Sequence, residues 1–301
     1  MRKLVLASAL AAAPLFAAVA GMPVTQRKTC PIGGAEFDFA TTASYSTWGT
    51  RPDGKPYGSW TFPLALPECP DNGLVLYKEY DAEEIAKLEP LVASEAYQAL
   101  RREDTTYYRA YWLMREMGLG PEQYLWALLQ ASWQADDRSE LRARYQAELI
   151  DGSAKAEPKP DDLNWIGMEA RAVNALRELG RFDEALVRLD KVPTALLDVQ
   201  VPAGAADSAP VRQARQRRAW LEYFKDLRAV IERRDPASEP FDLLPRRVSL
   251  GRCLDEATTL GEQPRAFCDK EKVTVDEMRA ARDKLARETE ALRQSREASG
   301  R

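Results

Sequence analysis

From residue 81 onward the apolar positions recur at three- and four-residue spacing, the period of helices that each bury one face. Asp81-Ala82-Glu83-Glu84 reads as an N-cap with its capping-box glutamate, leading into Ile85 and Leu88. Pro90 is read as the start of a new segment, with Leu91, Val92, Tyr97 and Leu100 as its apolar positions. A third helix is predicted over 107–117, closed by Gly118-Leu119-Gly120. A fourth covers 121–135, with Leu125, Leu128, Leu129 and Trp133 on a shared face. Another amphipathic stretch spans 138–150, and the polar, proline-bearing run 151–160 then has no period, as expected of a loop or linker. Helices resume over 165–179 and from 183 to a stop at Pro193. A second soft linker, 201–210, precedes a helix that buries Trp220, Leu221, Phe224, Leu227, Val230 and Ile231. Residues 235–245 form a proline-punctuated break, and helical segments then bracket Cys253 and Cys268. The last helix is expected to start at the Thr274-Val275-Asp276-Glu277 capping box. Met278, Ala281, Leu285 and Leu292 give it only a narrow apolar stripe, and disorder is expected from Ser295.

Before residue 81 the pattern changes. Glu36-Phe37-Asp38-Phe39 alternates in a strand-like way, residues 41–48 continue with β-favouring types, and Leu74–Tyr77 reads as a short strand. Residues 49–58 are turn-rich and are read as a surface loop. The expected fold is therefore mainly α, an irregular helical-hairpin array behind a small N-terminal β module. Its divisions are 21–80, 81–200 and 201–294, with a tail over 295–301.

The first residues suggest a compartment. Met1-Arg2-Lys3 is basic, Leu4 to Ala20 is apolar and interrupted by Pro14, and Ala18-Val19-Ala20 offers the small-x-small pattern read by signal peptidase. Residues 1–20 are read as a cleaved secretion signal with cleavage near Ala20-Gly21; the alternative is an uncleaved anchor. No later apolar stretch is long enough to span a bilayer. A periplasmic or secreted location follows. The full-chain charge of −4 becomes two units more negative without Arg2 and Lys3, which offers nothing to attract nucleic acid.

Four cysteines in an exported chain point to disulfides, and chain order favours Cys30 with Cys69 and Cys253 with Cys268. Cys30-Pro31-Ile32-Gly33-Gly34 and Cys69-Pro70-Asp71-Asn72-Gly73 look like two zinc knuckles that have each lost the second cysteine, to Gly33 and Asn72. A reduced metal site completed by Asp71 or Glu36 is the rival reading. Two thiolates without any imidazole make a poor tetrahedral set, so no metal and no cofactor is expected. Free structural thiols are the remaining possibility.

Leu179-Gly180-Arg181-Phe182-Asp183-Glu184-Ala185-Leu186 resembles the junction of a tetratricopeptide hairpin, where a small alanine lets two helices approach closely. An earlier hairpin overlays it: Ala110 and Gly118 correspond to Ala172 and Gly180, although Tyr124 is too large for the place of Ala185. The glycines are spaced well beyond the tetratricopeptide period, and an unrelated helical bundle is the alternative. Paired Cys-Pro-x-Cys-Gly knuckles followed by such helices resemble a bacterial family of unknown function that joins a zinc ribbon to helical repeats. The resemblance covers residues 30 to about 192. It implies an order of parts and carries no activity.

Chemistry is constrained mainly by what is missing. With no histidine in the chain, His-based triads and imidazole acid–base work are excluded. No Gly-x-Ser-x-Gly elbow or Ser-x-x-Lys pair occurs. Gly49-x4-Gly54-Lys55 has phosphate-loop spacing, but Pro56 replaces the magnesium-binding hydroxyl. The expected function is a non-catalytic, exported binder of an unidentified protein or peptide in the cell envelope. By analogy with the first helices of tetratricopeptide hairpins, Tyr107, Tyr111 and Arg115 are candidate contacts, with buried packing the competing use of both tyrosines. The alternatives are a cell-wall glycan hydrolase built on paired carboxylates and a purely structural accessory protein. On the helix after 210, Arg212, Arg215, Arg217, Arg218, Lys225, Arg228, Arg233 and Arg234 outnumber the acids. That face is read as a solvated surface or, alternatively, as a contact for anionic lipid.

Overall fold

The computed structural model describes residues 21–201, 204, 206–256 and 259–299; the expected signal segment lies outside them. Four short strands come first: β1 (Met22–Thr29), β2 (Glu36–Ser44), β3 (Thr47–Thr50) and β4 (Pro56–Gly58). They form two separate antiparallel pairs, β1 with β2 and β3 with β4. Helices follow: α1 (Ala82–Ala93), α2 (Glu95–Glu103), α3 (Thr106–Glu116), α4 (Pro121–Gln134), α5 (Ser139–Ala154), α6 (Leu163–Glu178), α7 (Phe182–Leu189), α8 (Ala209–Glu232), α9 (Arg246–Asp255), α10 (Glu262–Lys270) and α11 (Lys272–Ser299). The chain is mainly α with a small N-terminal β module, as expected. Among the described residues no helix is long and apolar enough to cross a membrane.

Most helix limits follow from local caps. Asp81 closes a full capping box with Glu84 at the start of α1. Pro90 does not begin a new helix. It is exposed inside α1, and the break comes at Ser94, whose hydroxyl accepts from the Tyr97 N–H to open α2. The expected linker start is also displaced, because α5 continues to Ala154 and the Ser153 hydroxyl donates back to the Leu149 carbonyl at 2.6 Å. At the C-terminus α11 begins two residues before Thr274, so the predicted capping box lies within the helix. The helix also runs past Ser295, where disorder was expected. The strand expected at Leu74–Tyr77 reduces to a single bridge, Glu68 with Val75, because Leu74 and Val75 are spent in the core.

From α3 to α8 each helix packs on the next. Two adjoining cores result, one around Tyr145, Leu128 and Leu149 and the other around Ile166, Val173, Leu227 and Ile231. Burying a leucine or isoleucine of this kind stabilises by about 1.5–3 kcal/mol, so these cores carry the array. Ala172 and Ala185 are fully buried where α6 meets α7.

Both cysteine pairs are disulfides as ordered, Cys30–Cys69 and Cys253–Cys268, with Cα separations of 5.6 and 5.5 Å. The first joins two turns of the same design. The Cys30 N–H donates to the Ala35 carbonyl at 2.8 Å, and the Cys69 N–H to the Leu74 carbonyl at 2.9 Å. The Gly34 and Gly73 N–H groups return to the Cys30 and Cys69 carbonyls. Gly34 and Gly73 have φ of 71° and 78°, a region where a Cβ is strained, so the turn selects glycine. The module shares a core with the helices, since Cys30, Cys69 and Leu74 pack with Leu88, Val92, Tyr97 and Leu113.

Candidate functional site

The turn-rich run 49–58, read as a surface loop, is in part buried, and residues 51–68 continue from it as one segment. They form a strap across the helical array, with Pro52 and Asp53 buried. The Pro52 carbonyl accepts from Arg171 Nη1 at 2.6 Å and from the Tyr223 hydroxyl at 3.0 Å. Trp133 Nε1 donates to the Asp53 carbonyl at 3.3 Å, and Lys55 Nζ donates to the Trp133 carbonyl at 3.3 Å. Further along, the Tyr107 hydroxyl donates to the Leu64 carbonyl at 2.9 Å, and Arg109 grips both carboxylate oxygens of Glu68 at 3.0 and 2.7 Å. Gly54, at φ 91°, lets the strap approach the Arg171 guanidinium; a Cβ there would lie 2.7 Å from Nε. The lysine of the phosphate-loop spacing is thus committed to protein partners.

Beneath the strap is a charge network, buried at Asp53, Arg142 and Glu178 and open to solvent at Asp136. Arg51 pairs with Asp53 and, at 2.7 and 2.9 Å, with Asp136. Arg142 reaches Asp53 at 3.1 Å, Glu178 at 2.6 Å, and Asp136. Burial acts to raise the Asp136 carboxyl, but hydrogen bonds from Arg51 and Lys55 outweigh it and hold the group at about 2. Asp53 is likewise driven below the ordinary carboxylate range, burial being outweighed by Arg51 and Arg142. These carboxylates are acceptors locked by arginine, and none of them lines the cavities described below.

The three residues singled out as partner contacts all make internal contacts. Tyr107 faces the strap, and burial pushes its hydroxyl up to about 12. Tyr111 is buried with its ring against Tyr108 and Tyr124. Arg115 donates to the Tyr111 hydroxyl at 3.0 Å and lies over its ring. None of the three lines a described cavity.

An open groove lies elsewhere, along α6. One cavity of about 570 Å³ between α5, α6 and α7 is lined by Ile150, Trp165, Leu176, Val187 and Lys191. A second, of about 430 Å³, is lined by Leu125, Trp126, Trp165 and Met168, where α4 meets the start of α6. Trp165 and Ala156 belong to both, so the indole forms a shared wall. The floor is held by Arg188. It donates to both oxygens of Glu169 at 2.9 and 2.7 Å, to the Ile150 carbonyl at 3.1 Å and to Ser153 Oγ at 2.9 Å, joining three helices at one guanidinium. Val187 stands at the rim with 58% of its surface exposed. Acids around the groove are partly spent: Asp183 pairs with Arg234 and Glu184 with Arg181. Glu122 and Glu157 edge the α4 end, while Lys191 edges the α7 end.

The basic residues of α8 and the turn after it are mostly paired with acids, some on α8 itself and most on neighbouring segments. Arg212 and Arg215 share Asp207, and Arg218 pairs with Asp198 at 2.5 Å. Lys225 pairs with Glu222, Arg228 with Asp190, Arg233 with Asp235 and Asp242, and Arg234 with Asp183. Arg217 donates to the Asp161 carbonyl at 2.7 Å.

The groove residues of α6 and α7 were visible in the sequence only as members of helical segments. Trp165, Leu176 and Val187 lie within helices that periodicity finds, but periodicity cannot tell an unfilled face from a filled one. Neither a family model, nor a curated protein, nor a solved structure matches the chain.

Proposed function

We propose that the protein is an exported, non-catalytic binding protein. Its groove along α6 takes a peptide segment of an envelope protein, anchored by one bulky apolar side chain beside Trp165. The observation that carries this reading is the pair of apolar cavities meeting at Trp165 with an exposed Val187 at the rim. A groove lined by aliphatic and aromatic side chains with a few fixed polar groups suits such an anchor. At the α4 end Glu122, Glu157 and Asp162 outnumber Lys159, which favours a basic residue flanking the anchor. Two disulfides support an oxidising compartment outside the cytoplasm. The non-catalytic reading draws on Asp53, Asp136 and Glu178, whose arginine partners hold them as ion-pair members away from the groove.

The test is affinity capture from the protein's own envelope fraction with three baits: the wild-type chain, Val187→Glu and Trp165→Ala. One partner should be retained by the wild type, lost with Val187→Glu and weakened with Trp165→Ala. Equal recovery by all three baits, or no specific partner for the wild type, overturns the groove assignment.

A further inference from the structure

The hairpin of β1 and β2 is long for its support. None of the residues of either strand is buried, and neither strand packs extensively on a helix. Val24, Phe37 and Phe39 alternate onto one half-covered face, and Phe37 reaches the core around Leu74. The opposite face carries Arg27 with its partners Glu36 and Asp38 at 3.0 and 3.1 Å. A ribbon of only two strands is marginal in water; further strands or a helix are needed to stabilise it.

The two outer edges differ. β1 is guarded by Pro23, which has no N–H, and by Arg27 and Lys28. β2, Glu-Phe-Asp-Phe-Ala-Thr-Thr-Ala-Ser, has neither proline nor a basic residue. Among the described residues no backbone hydrogen bond joins its outer edge to another segment. The direction of its groups follows from the turn. The Cys30 N–H bonds to the Ala35 carbonyl, and Lys28 pairs with Phe37 and Gln26 with Phe39. Alternation in an antiparallel pair then points the N–H and C=O of Phe37 and Phe39 at β1, and those of Asp38 and Ala40 outward.

We propose that β2 pairs antiparallel with β2 of a second copy of this chain, about a two-fold axis at Phe39, so that two hairpins merge into one sheet. Charge excludes axes at Phe37 and Asp38, and the close approach of two Phe39 rings selects Phe39 over Ala40. An axis at Asp38 would set two carboxylates face to face, whereas an axis at Phe39 places Asp38 opposite Ala40 and Glu36 opposite Thr42. The outward groups of Asp38 and Ala40 then bond to each other across the axis. The two Phe39 rings become a non-hydrogen-bonded pair, where cross-strand side chains approach most closely. The same patch serves both copies, as a closed two-fold contact requires. This contact is independent of the groove along α6.

Sedimentation equilibrium of the oxidised full chain across the micromolar range tests the proposal. The wild type should be a dimer in equilibrium with monomer. Ala40→Pro removes one outward N–H while sparing the bonds to β1, and should leave only monomer. Thr25→Pro makes the same change on the outer edge of β1 and should leave the dimer intact. Phe39→Asp and Phe39→Lys should each be monomeric alone and should form a mixed dimer when combined. A wild type that is monomeric throughout, a dimer that survives Ala40→Pro, loss of the dimer with Thr25→Pro, or failure of the two Phe39 variants to combine overturns the proposal.

Discussion

The Asn72 side-chain amide donates to the Ile32 carbonyl at 3.0 Å, while its oxygen accepts from the Leu74 N–H at 2.9 Å. Asn72 occupies the place where a zinc knuckle carries its second cysteine, and here it ties one turn to the other beside the Cys30–Cys69 bond. The two turns are thus joined by an amide and a disulfide.

Removing that disulfide by Cys30→Ser with Cys69→Ser should cost about 4 kcal/mol in the chain-entropy account of a loop this long. Asn72→Ala should cost about 1 kcal/mol, the ordinary net value of a lost hydrogen bond. Urea unfolding measures both, and mass analysis without reductant should find no free thiol in the wild type.

Acid should weaken the strap before it melts the helices. The Asp136 carboxyl is lowered from 3.8 to about 2, so its contribution is complete above pH 3.8 and disappears as pH falls through about 2. Solvent screening at this partly exposed group leaves roughly 1 kcal/mol. Asp136→Asn should flatten the stability profile between those two values, as read by denaturant midpoints at a series of pH values.

Arg177 is completely buried. It donates to the carbonyls of Asp235 and Ala237 at 2.7 Å each, and twice to Asn174 Oδ1. Its guanidinium staples the turn after α8 to α6. Arg177→Met should destabilise the protein by about 2–3 kcal/mol, because Asn174 Oδ1 is left buried and unpaired and the ties to the Asp235 and Ala237 carbonyls are lost. Arg181→Ala, which removes an exposed pair with Glu184, should change stability by about 0.5 kcal/mol or less. Thermal unfolding of the two variants checks the contrast.

The arginines of α8 should not draw the protein to anionic membranes, since acids, chiefly on neighbouring segments, already pair with most of them. Cosedimentation with phosphatidylserine vesicles should leave the protein in the supernatant at low salt. Asp207→Asn with Asp190→Asn, which frees Arg212 and Arg215 and leaves Arg228 only the longer pair with Glu232, should produce salt-sensitive binding.

The helical part was legible because its signals are local. The Asp81 capping box, the glycine after α3 and the Ala185 position of α7 each fix structure through residues a few places away. The cysteine pairing was legible from chain order and spacing. The strap was not, because Pro52 and Asp53 owe their burial to Trp133, Arg142, Arg171 and Tyr223. A run of proline, glycine and lysine reads as a loop until those partners are known. β1 escaped for a related reason: its alternation of polar residues has no apolar face of its own, and β2 supplies the phenylalanines. The same limit hid the groove, since Trp165 and Val187 follow the helical period whether or not anything covers them.

Pro52 lies 119 residues before Arg171 and 171 before Tyr223, its two hydrogen-bond donors. Contacts between neighbouring helices close short loops and form early, whereas contacts across such distances wait on a much larger search. The strap, although it precedes the helices in the chain, should therefore be the last part of the fold to be finished. Helices α3–α6 pack neighbour on neighbour and α7 shares its core with α8, so docking of the strap should be the closing event that reports whether α8 has arrived. A chain ending before Tyr223 should fold most of its helices yet leave the N-terminal segment open to proteolysis between Arg51 and Glu68.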